Sequence, residues 1–147
     1  MIWDNILNLT KTTIILVRPQ LPENIGMVAR VMNNFGLKKL ILISPRENWP
    51  NKKAIDSAKQ AKKIINNCKV YYSLSEALKN FKLVIATTNR VRFLEKQIYD
   101  NFNNLKNSIK KNFNSAIMFG PENSGLSNID LRLADFIFTI PTTNFNK

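Results

Sequence analysis

Short apolar runs recur along the whole chain, and each is too short to form a helix by itself. The runs are Thr13–Val17, Leu40–Ser44, Val70–Tyr72, Leu83–Thr87, Ala116–Phe119 and Phe136–Ile140. Most are separated by segments whose apolar residues recur at helical spacing. Strands that alternate with helices in this way predict an α/β fold, a parallel sheet with helices on both faces.

The first helical segment is the best defined of the predicted helices. Asn24 is expected to cap its N-terminus, and Gly36 is expected to end it in a left-handed conformation. Arg30 and Asn34 fall opposite the apolar stripe, so they should face solvent or a ligand. The stripe itself consists of Ile25, Val28, Ala29, Met32 and Phe35.

Other helices are expected further along the chain. Their predicted ranges are Ala54–Asn66, Ser75–Phe81, Tyr99–Phe113 and Ser127–Leu133. Ser127 is a natural cap for the last of them, and the charge of Asp130 suits a helix N-terminus. No repeat, linker or composition shift interrupts the pattern, so residues 1–147 are expected to form a single domain.

Composition excludes several kinds of chemistry. The chain of 147 residues has no His and one Cys, which excludes His-dependent triads, Cys/His dyads, zinc clusters and internal disulfides. The apolar runs are far too short to cross a bilayer, and the N-terminus does not resemble a signal peptide. We therefore expect a cytoplasmic protein with no metal and no membrane contact.

The formal charge of +12 points to a polyanionic partner, and nucleic acid is the commonest one. The alternative is that a Lys- and Asn-rich composition reflects the codon bias of a genome. The lysines crowd two segments, and most of them are expected to be solvated helix faces. The clustered lysines are Lys52, Lys53, Lys59, Lys62, Lys63 and Lys69, followed by Lys106, Lys110 and Lys111.

Two loops at predicted strand ends carry polar residues, and ligands bind at such ends in open parallel sheets. The first, 18–26, is stiffened by prolines, and Gly26 permits close approach to the helix start. The second, 86–92, places Arg90 and Arg92 on one side of an extended segment, where they could bind a phosphate together. An ordinary turn with solvated arginines is the alternative for both loops.

A third loop, 119–126, has Gly120 and Gly125 on either side of a Pro-Glu-Asn-Ser stretch that is expected to be buried. Glu122 can be stabilised there by the next helix N-terminus or by hydrogen bonds from a ligand. The glycine spacing fits neither a P-loop nor a dinucleotide-binding motif.

Taken in order, these segments resemble a known enzyme family. Asn24–Gly36 is similar to the first motif of the TrmH/SpoU-type RNA ribose methyltransferases of the SPOUT superfamily. Phe119–Ser127, followed by Phe138–Thr142, is similar to the second motif. Thr87–Arg92 narrows the resemblance to the TrmJ subgroup, and the likeness runs from about Thr13 to Thr142.

The resemblance implies a parallel sheet with a C-terminal trefoil knot, a rare exception to the rule against knots. It also implies a homodimer that transfers a methyl group from S-adenosylmethionine to a ribose 2′-oxygen. In the TrmJ subgroup the substrate is the nucleotide that opens the tRNA anticodon loop.

Roles follow from the resemblance position by position. The expected cofactor-binding residues are Thr87, Thr88, Asn89, Gly120 and Ile140. The residues expected at the RNA substrate are Asn24, Arg90, Arg92 and Glu122. Arg30 matches the catalytic arginine. Because the pKa of arginine exceeds about 12, we expect it to orient the substrate and stabilise the developing oxyanion.

The resemblance weakens after Thr142. The family continues into a third motif and a final helix, whereas this sequence stops at Lys147. The expectation is a methyltransferase domain that is incomplete at its C-terminus, with the knot segment truncated. The alternative function is a non-catalytic RNA-binding protein that has lost its cofactor.

Overall fold

The structure, a computed structural model, describes residues 9–89, 98–99 and 114–139. The strands are β1 (Thr12–Val17), β2 (Lys39–Ile43), β3 (Lys69–Tyr71), β4 (Leu83–Thr88), β5 (Ile98–Tyr99), β6 (Ser115–Phe119) and β7 (Phe136–Thr139). The helices are α1 (Pro22–Asn34), α2 (Lys52–Ser57), α3 (Lys62–Asn67), α4 (Leu74–Leu78) and α5 (Asn128–Arg132). Short 3₁₀ turns span Leu9–Lys11 and Lys59–Ala61.

The strands form one sheet in the order β3-β2-β1-β6-β4-β7-β5, and each pair of neighbours is parallel. The predicted α/β class and its parallel sheet are therefore confirmed. Tyr99 lies in β5, so the prediction that it begins a helix is wrong. The rest of the predicted helix Tyr99–Phe113, and the knot segment after Thr139, lie outside the described residues.

Each central strand is buried on both sides, as parallel sheets between helix layers require. Side chains alternate along β1: Ile14 and Leu16 belong to the core beneath α1, α2 and α3, and Ile15 and Val17 to the core beneath α4 and α5. We call these sides the α1 face and the α4 face. No described helix is long and apolar enough to span a membrane.

Helix α1 begins earlier than its sequence predicts. Leu21 occupies the N-cap position without a side-chain hydrogen bond, so the prediction that Asn24 caps the helix is wrong. Pro22 starts the helix because its fixed φ suits the first turn and its missing N–H has no partner to lose there. Gly36 has φ +77° and ends the helix as predicted. Phe35 was expected to be buried but is 39% exposed.

The predicted helix Ala54–Asn66 is interrupted. Lys59 has φ +54°, which is incompatible with a continuous helix, so α2 and α3 are separate. Helix α1 also packs closely on α2: a Cβ on Gly26 would overlap Ser57 Oγ and lie 2.5 Å from the Ala54 carbonyl oxygen. The close approach that Gly26 permits is therefore that of helix α2. In α5, the predicted capping by Ser127 and Asp130 is confirmed.

Candidate functional site

The three polar loops meet at one edge of the sheet because the strands that precede them are parallel. Asn24, Thr87, Gly120 and Glu122 line one cavity of about 720 Å³. The cavity lies between α1 and strands β1, β6, β4 and β7. Its other described lining residues are Thr12, Ile14, Leu16, Pro19, Ile25, Met27, Val28, Val31, Met32, Phe35, Leu37, Ile117, Phe119 and Phe138.

The cavity is polar at one end and apolar along most of its length. Asn24, Thr87, Gly120 and Glu122 lie at or beyond the carboxyl ends of the strands, whereas Ile14, Leu16 and Ile117 form the sheet side further in and Thr12 lies at the amino end of β1. A volume of this size is typical of small-molecule and cofactor sites, which combine apolar walls with a few fixed polar groups. The arrangement suits a ligand with one polar end and an extended apolar surface.

Glu122 joins the third loop to the first. Its Oε2 accepts hydrogen bonds from the backbone N–H of Gln20, at 2.9 Å, and of Leu21, at 3.3 Å. Its Oε1 also accepts from Gln20 N–H at 3.2 Å. The carboxylate is exposed, and it fixes the entry to α1 relative to the loop after β6. The expected burial of the Pro-Glu-Asn-Ser stretch is wrong except at Pro121, because Glu122, Asn123 and Ser124 are exposed.

A second connection across the same edge was not predicted. Arg18 donates to Asp130 through both terminal nitrogens, at 3.3 Å between Nη1 and Oδ1 and in a shorter contact between Nη2 and Oδ2. Asp130 also accepts from Ser127 N–H at 2.9 Å. Burial raises the pKa of Asp130, but the hydrogen bonds from Arg18 and Ser127 outweigh burial and leave the pKa below its ordinary value.

Among the expected cofactor residues, Thr87 and Thr88 are buried at the end of β4, and Asn89 is exposed just beyond it. Thr87 Oγ1 donates to the Met118 carbonyl at 2.7 Å, which ties β4 to β6 beside the cavity. Arg90, Arg92 and Ile140 lie outside the described residues. Their expected roles stay predictions.

Gly120 stands where the third loop folds back on itself. A Cβ there would overlap the Leu126 amide nitrogen and lie 2.8 Å from Gly125 Cα. Gly125 has φ +69°, a conformation that favours glycine. The loop therefore needs both glycines, and the cavity wall at Gly120 is bare backbone.

Arg30 is exposed on α1, as predicted, but is not among the residues that line the cavity. It lies one turn after Gly26, on the side of α1 that approaches α2. The described structure thus brings together four of the predicted site residues and leaves Arg30 apart from them. Within the described residues, no three His, Cys, Asp or Glu side chains are grouped to hold a metal ion.

Comparison with known proteins shows which proteins the chain is similar to. Residues 11–147 match the model of the SpoU rRNA Methylase family. The chain is similar to the tRNA (cytidine-2'-O-)-methyltransferase TrmJ of Methanocaldococcus jannaschii, at 32% identity over 140 residues, covering 89% of this chain and 58% of that protein. It is also 32% identical over 137 residues to the tRNA (cytidine/uridine/adenosine-2'-O-)-methyltransferase TrmJ of Pseudomonas aeruginosa, covering 91% and 53%. The chain thus spans between half and three fifths of these curated relatives.

Solved structures share the fold. TrmJ from Z. mobilis ZM4 superimposes with a TM-score of 0.82 at 38% identity, covering 90% of this chain and 59% of that one. The SpoU methyltransferase AviRb from Streptomyces viridochromogenes, solved in complex with AdoMet, has a TM-score of 0.66 at 19% identity and covers 89% and 51%. At that identity, the second comparison shows the fold alone.

Proposed function

The chain belongs to the SpoU rRNA methylase family, and from this membership we propose that it methylates a ribose 2′-oxygen of tRNA with S-adenosylmethionine as methyl donor. The observation that carries the proposal is that Asn24, Thr87, Gly120 and Glu122, from all three motif loops, line one cavity. Ligands bind at this edge in open parallel sheets, and the three loops supply the polar groups that could hold one there. The acceptor on this proposal lies in the anticodon loop.

The cavity fits the proposed cofactor. S-Adenosylmethionine combines a flat purine face and short methylene chains with polar edges and a charged sulfonium, and the lining combines Ile117, Phe119 and Phe138 with polar loop ends. Gly120 contributes bare backbone to the lining, because its missing Cβ leaves room for the loop to fold back at Leu126. Thr87 and Thr88, at the end of β4, would hold the cofactor from the neighbouring strand, with Asn89 at the rim.

S-Adenosylmethionine, when bound, supplies an electrophilic methyl group on a positively charged sulfur. The protein's task is to align the ribose 2′-oxygen with that methyl group and to favour loss of the hydroxyl proton. On this proposal the Arg30 guanidinium orients the substrate and stabilises negative charge developing on the oxygen. Glu122 holds the start of α1, the helix that carries Arg30, against the third loop.

The proposal includes a homodimer that works in the cytoplasm. Met27 and Val31 are 53% and 55% exposed on α1, and apolar side chains at neighbouring helical positions supply a contact surface. The same helix carries Arg30, so assembly through it would bring a second subunit close to the proposed site. tRNA as the polyanionic partner agrees with the formal charge of +12.

Calorimetric titration with S-adenosylmethionine and transfer of a labelled methyl group to unmodified tRNA test the proposal together. We expect saturable cofactor binding and transfer to one ribose. A tRNA that carries 2′-deoxyribose at that nucleotide is the control and should accept no methyl group. Binding of tRNA without binding of the cofactor would contradict the proposal and favour the non-catalytic RNA-binding alternative.

A further inference from the structure

Helices α2 and α3 form a strongly basic surface outside the cavity. Residues 51–69 contain six lysines and a single carboxylate, Asp56. All six lysines are exposed, because the opposite sides of the two helices are buried against the core through alanine and isoleucine. We call the outer set Lys53, Lys59, Lys62 and Lys63 the basic strip.

The charge of the basic strip is largely unneutralised. Lys52 Nζ pairs with Asp56 Oδ2 at 2.7 Å, so the one carboxylate of the segment is taken by a lysine outside the strip. None of the four strip lysines forms an ion pair with a described residue. The pKa of Asp56 is lowered first by its hydrogen bond from Lys52, and the charges of Lys62 and Lys59 add to that effect. Lys59 and Lys62 therefore lie near the same carboxylate, on one surface.

The basic strip is continuous with the helix that carries Arg30. Gly26 of α1 packs directly on Ser57 of α2, and Arg30 lies one turn further along the same side of α1. A chain of negative charges that reaches Arg30 therefore passes beside α2, the helix that carries Lys53. Phosphates along a nucleic-acid strand supply such a chain.

We propose that the basic strip binds backbone phosphates of the RNA substrate at a distance from the nucleotide that is methylated. The inference rests on the proposed function, since it extends the RNA surface of the same enzyme. Lysine ammonium groups are point charges that contact phosphates without reading bases, so the strip positions any RNA of suitable shape. An anionic membrane is the poorer partner, because membrane-surface helices interleave lysines with outward apolar residues. Within 51–69 no large apolar side chain is exposed.

The test is the salt dependence of tRNA binding by the whole chain. Lys59→Gln/Lys62→Gln/Lys63→Gln removes three charges from the strip, and Lys11→Gln/Lys38→Gln/Lys79→Gln removes three exposed charges elsewhere. Each phosphate contact contributes roughly 0.7 to 0.9 to the log–log slope, so we expect the strip variant to flatten the slope by about 2. The control variant should leave the slope nearly unchanged. Both variants should melt as the wild type does.

Methyl transfer measured beside binding separates this inference from the proposed function. We expect the strip variant to raise KM for tRNA while kcat at saturating tRNA stays within about twofold, because no strip residue lines the cavity. If the wild type and the strip variant have equal salt slopes for tRNA binding while the wild type transfers methyl, the inference about the basic strip is wrong and the proposed function stands. Equal flattening by both variants would also overturn the inference. A wild-type protein that neither binds tRNA nor transfers methyl would overturn both proposals. If the strip variant loses binding to anionic lipid vesicles but binds tRNA unchanged, the basic strip is a membrane-binding surface and the inference is wrong.

Discussion

The two faces of the sheet are built from the same alternating pattern but are packed differently. On the α4 face the large side chains Ile15, Met118, Leu126, Leu131 and Ile137 are almost entirely excluded from solvent. On the α1 face, side chains of the neighbouring positions line the cavity. These α1-face residues are Ile14, Leu16, Ile117, Phe119 and Phe138.

The alternation of apolar residues therefore predicts which side chains are buried. It does not show whether a buried side chain packs in a filled core or lines a cavity. Both faces of a parallel sheet between helices carry apolar residues. What differs is that apolar side chains on the α1 face border the cavity beneath α1, whereas the named side chains of the α4 face are fully packed. The α4 face supplies stability, and the α1 face keeps space at the strand ends where polar loops gather.

The largest stability difference is expected between neighbouring isoleucines of β1. Ile15 is 0% exposed on the α4 face, and Ile14 is 5% exposed on the cavity wall. Ile15→Ala should cost about 2–5 kcal/mol of unfolding free energy because it opens a new void. Ile14→Ala borders existing space and should cost at least about 1 kcal/mol less, measured by urea unfolding. Equal losses would show that the two faces are packed alike.

Arg30→Ala tests the catalytic role assigned to α1, the helix that covers the cavity face of the sheet. We expect methyl transfer to fall by about 100- to 1000-fold, the loss typical of removing one donor that stabilises developing negative charge. The melting temperature should hardly change, since Arg30 is exposed and Ala favours helix. Asn34→Ala, also exposed on α1, is the control and should retain activity. Normal transfer by Arg30→Ala would exclude the assigned role.

Asp130→Asn tests the connection between β1 and α5. The lowered pKa of Asp130 means that its carboxylate stabilises the fold above the ordinary pKa of about 3.9, and that this stabilisation is lost as pH falls through the folded-state value. At pH 7 we expect a loss of about 1–3 kcal/mol, the range for leaving a partner unpaired.

Because protonation removes the same charge, the stability difference between wild type and Asp130→Asn should shrink as the pH falls toward 3. Urea unfolding at several pH values measures it. Arg18→Met, alone and combined with Asp130→Asn, gives the pairwise coupling. A difference that is constant with pH would mean that the ion pair contributes little.

A feature of the fold can be predicted from the sequence when its signal lies in neighbouring residues. The six predicted strands, the end of α1 at Gly36 and the capping of α5 depend on local signals and are confirmed, whereas the two-residue strand β5 has no such signal and is not predicted. The cap of α1 at Asn24 was wrong because Pro22 starts the helix instead. The Arg18–Asp130 pair spans 112 residues and has no periodicity that a sequence pattern could reveal.

The smallest expected effect concerns Glu122, which joins two loops at the polar end of the cavity. Its oxygens accept hydrogen bonds from Gln20 and Leu21 N–H, and exposed bonds of this kind contribute about 0.5–1.5 kcal/mol. Glu122→Ala removes both acceptors and should lower kcat for methyl transfer by up to about tenfold. Glu122→Gln keeps one carbonyl acceptor and should recover part of that loss. Glu23→Gln is the matched control, because Glu23 is an exposed carboxylate in the first turn of α1.

The pattern of loss across these variants separates positioning from direct contact with RNA. If Glu122 only positions α1, its variants should lower kcat while KM for tRNA and the salt slope of binding stay unchanged, because no charge–phosphate contact is altered. Partial rescue by Gln would assign the effect to the retained acceptor. Equal losses in Gln and Ala would assign it to the negative charge instead, and a change in KM for tRNA would place Glu122 at the substrate. An equally large loss in Glu23→Gln would assign the effect to negative charge near the start of α1 in general, and not to the hydrogen bonds that Glu122 accepts from Gln20 and Leu21.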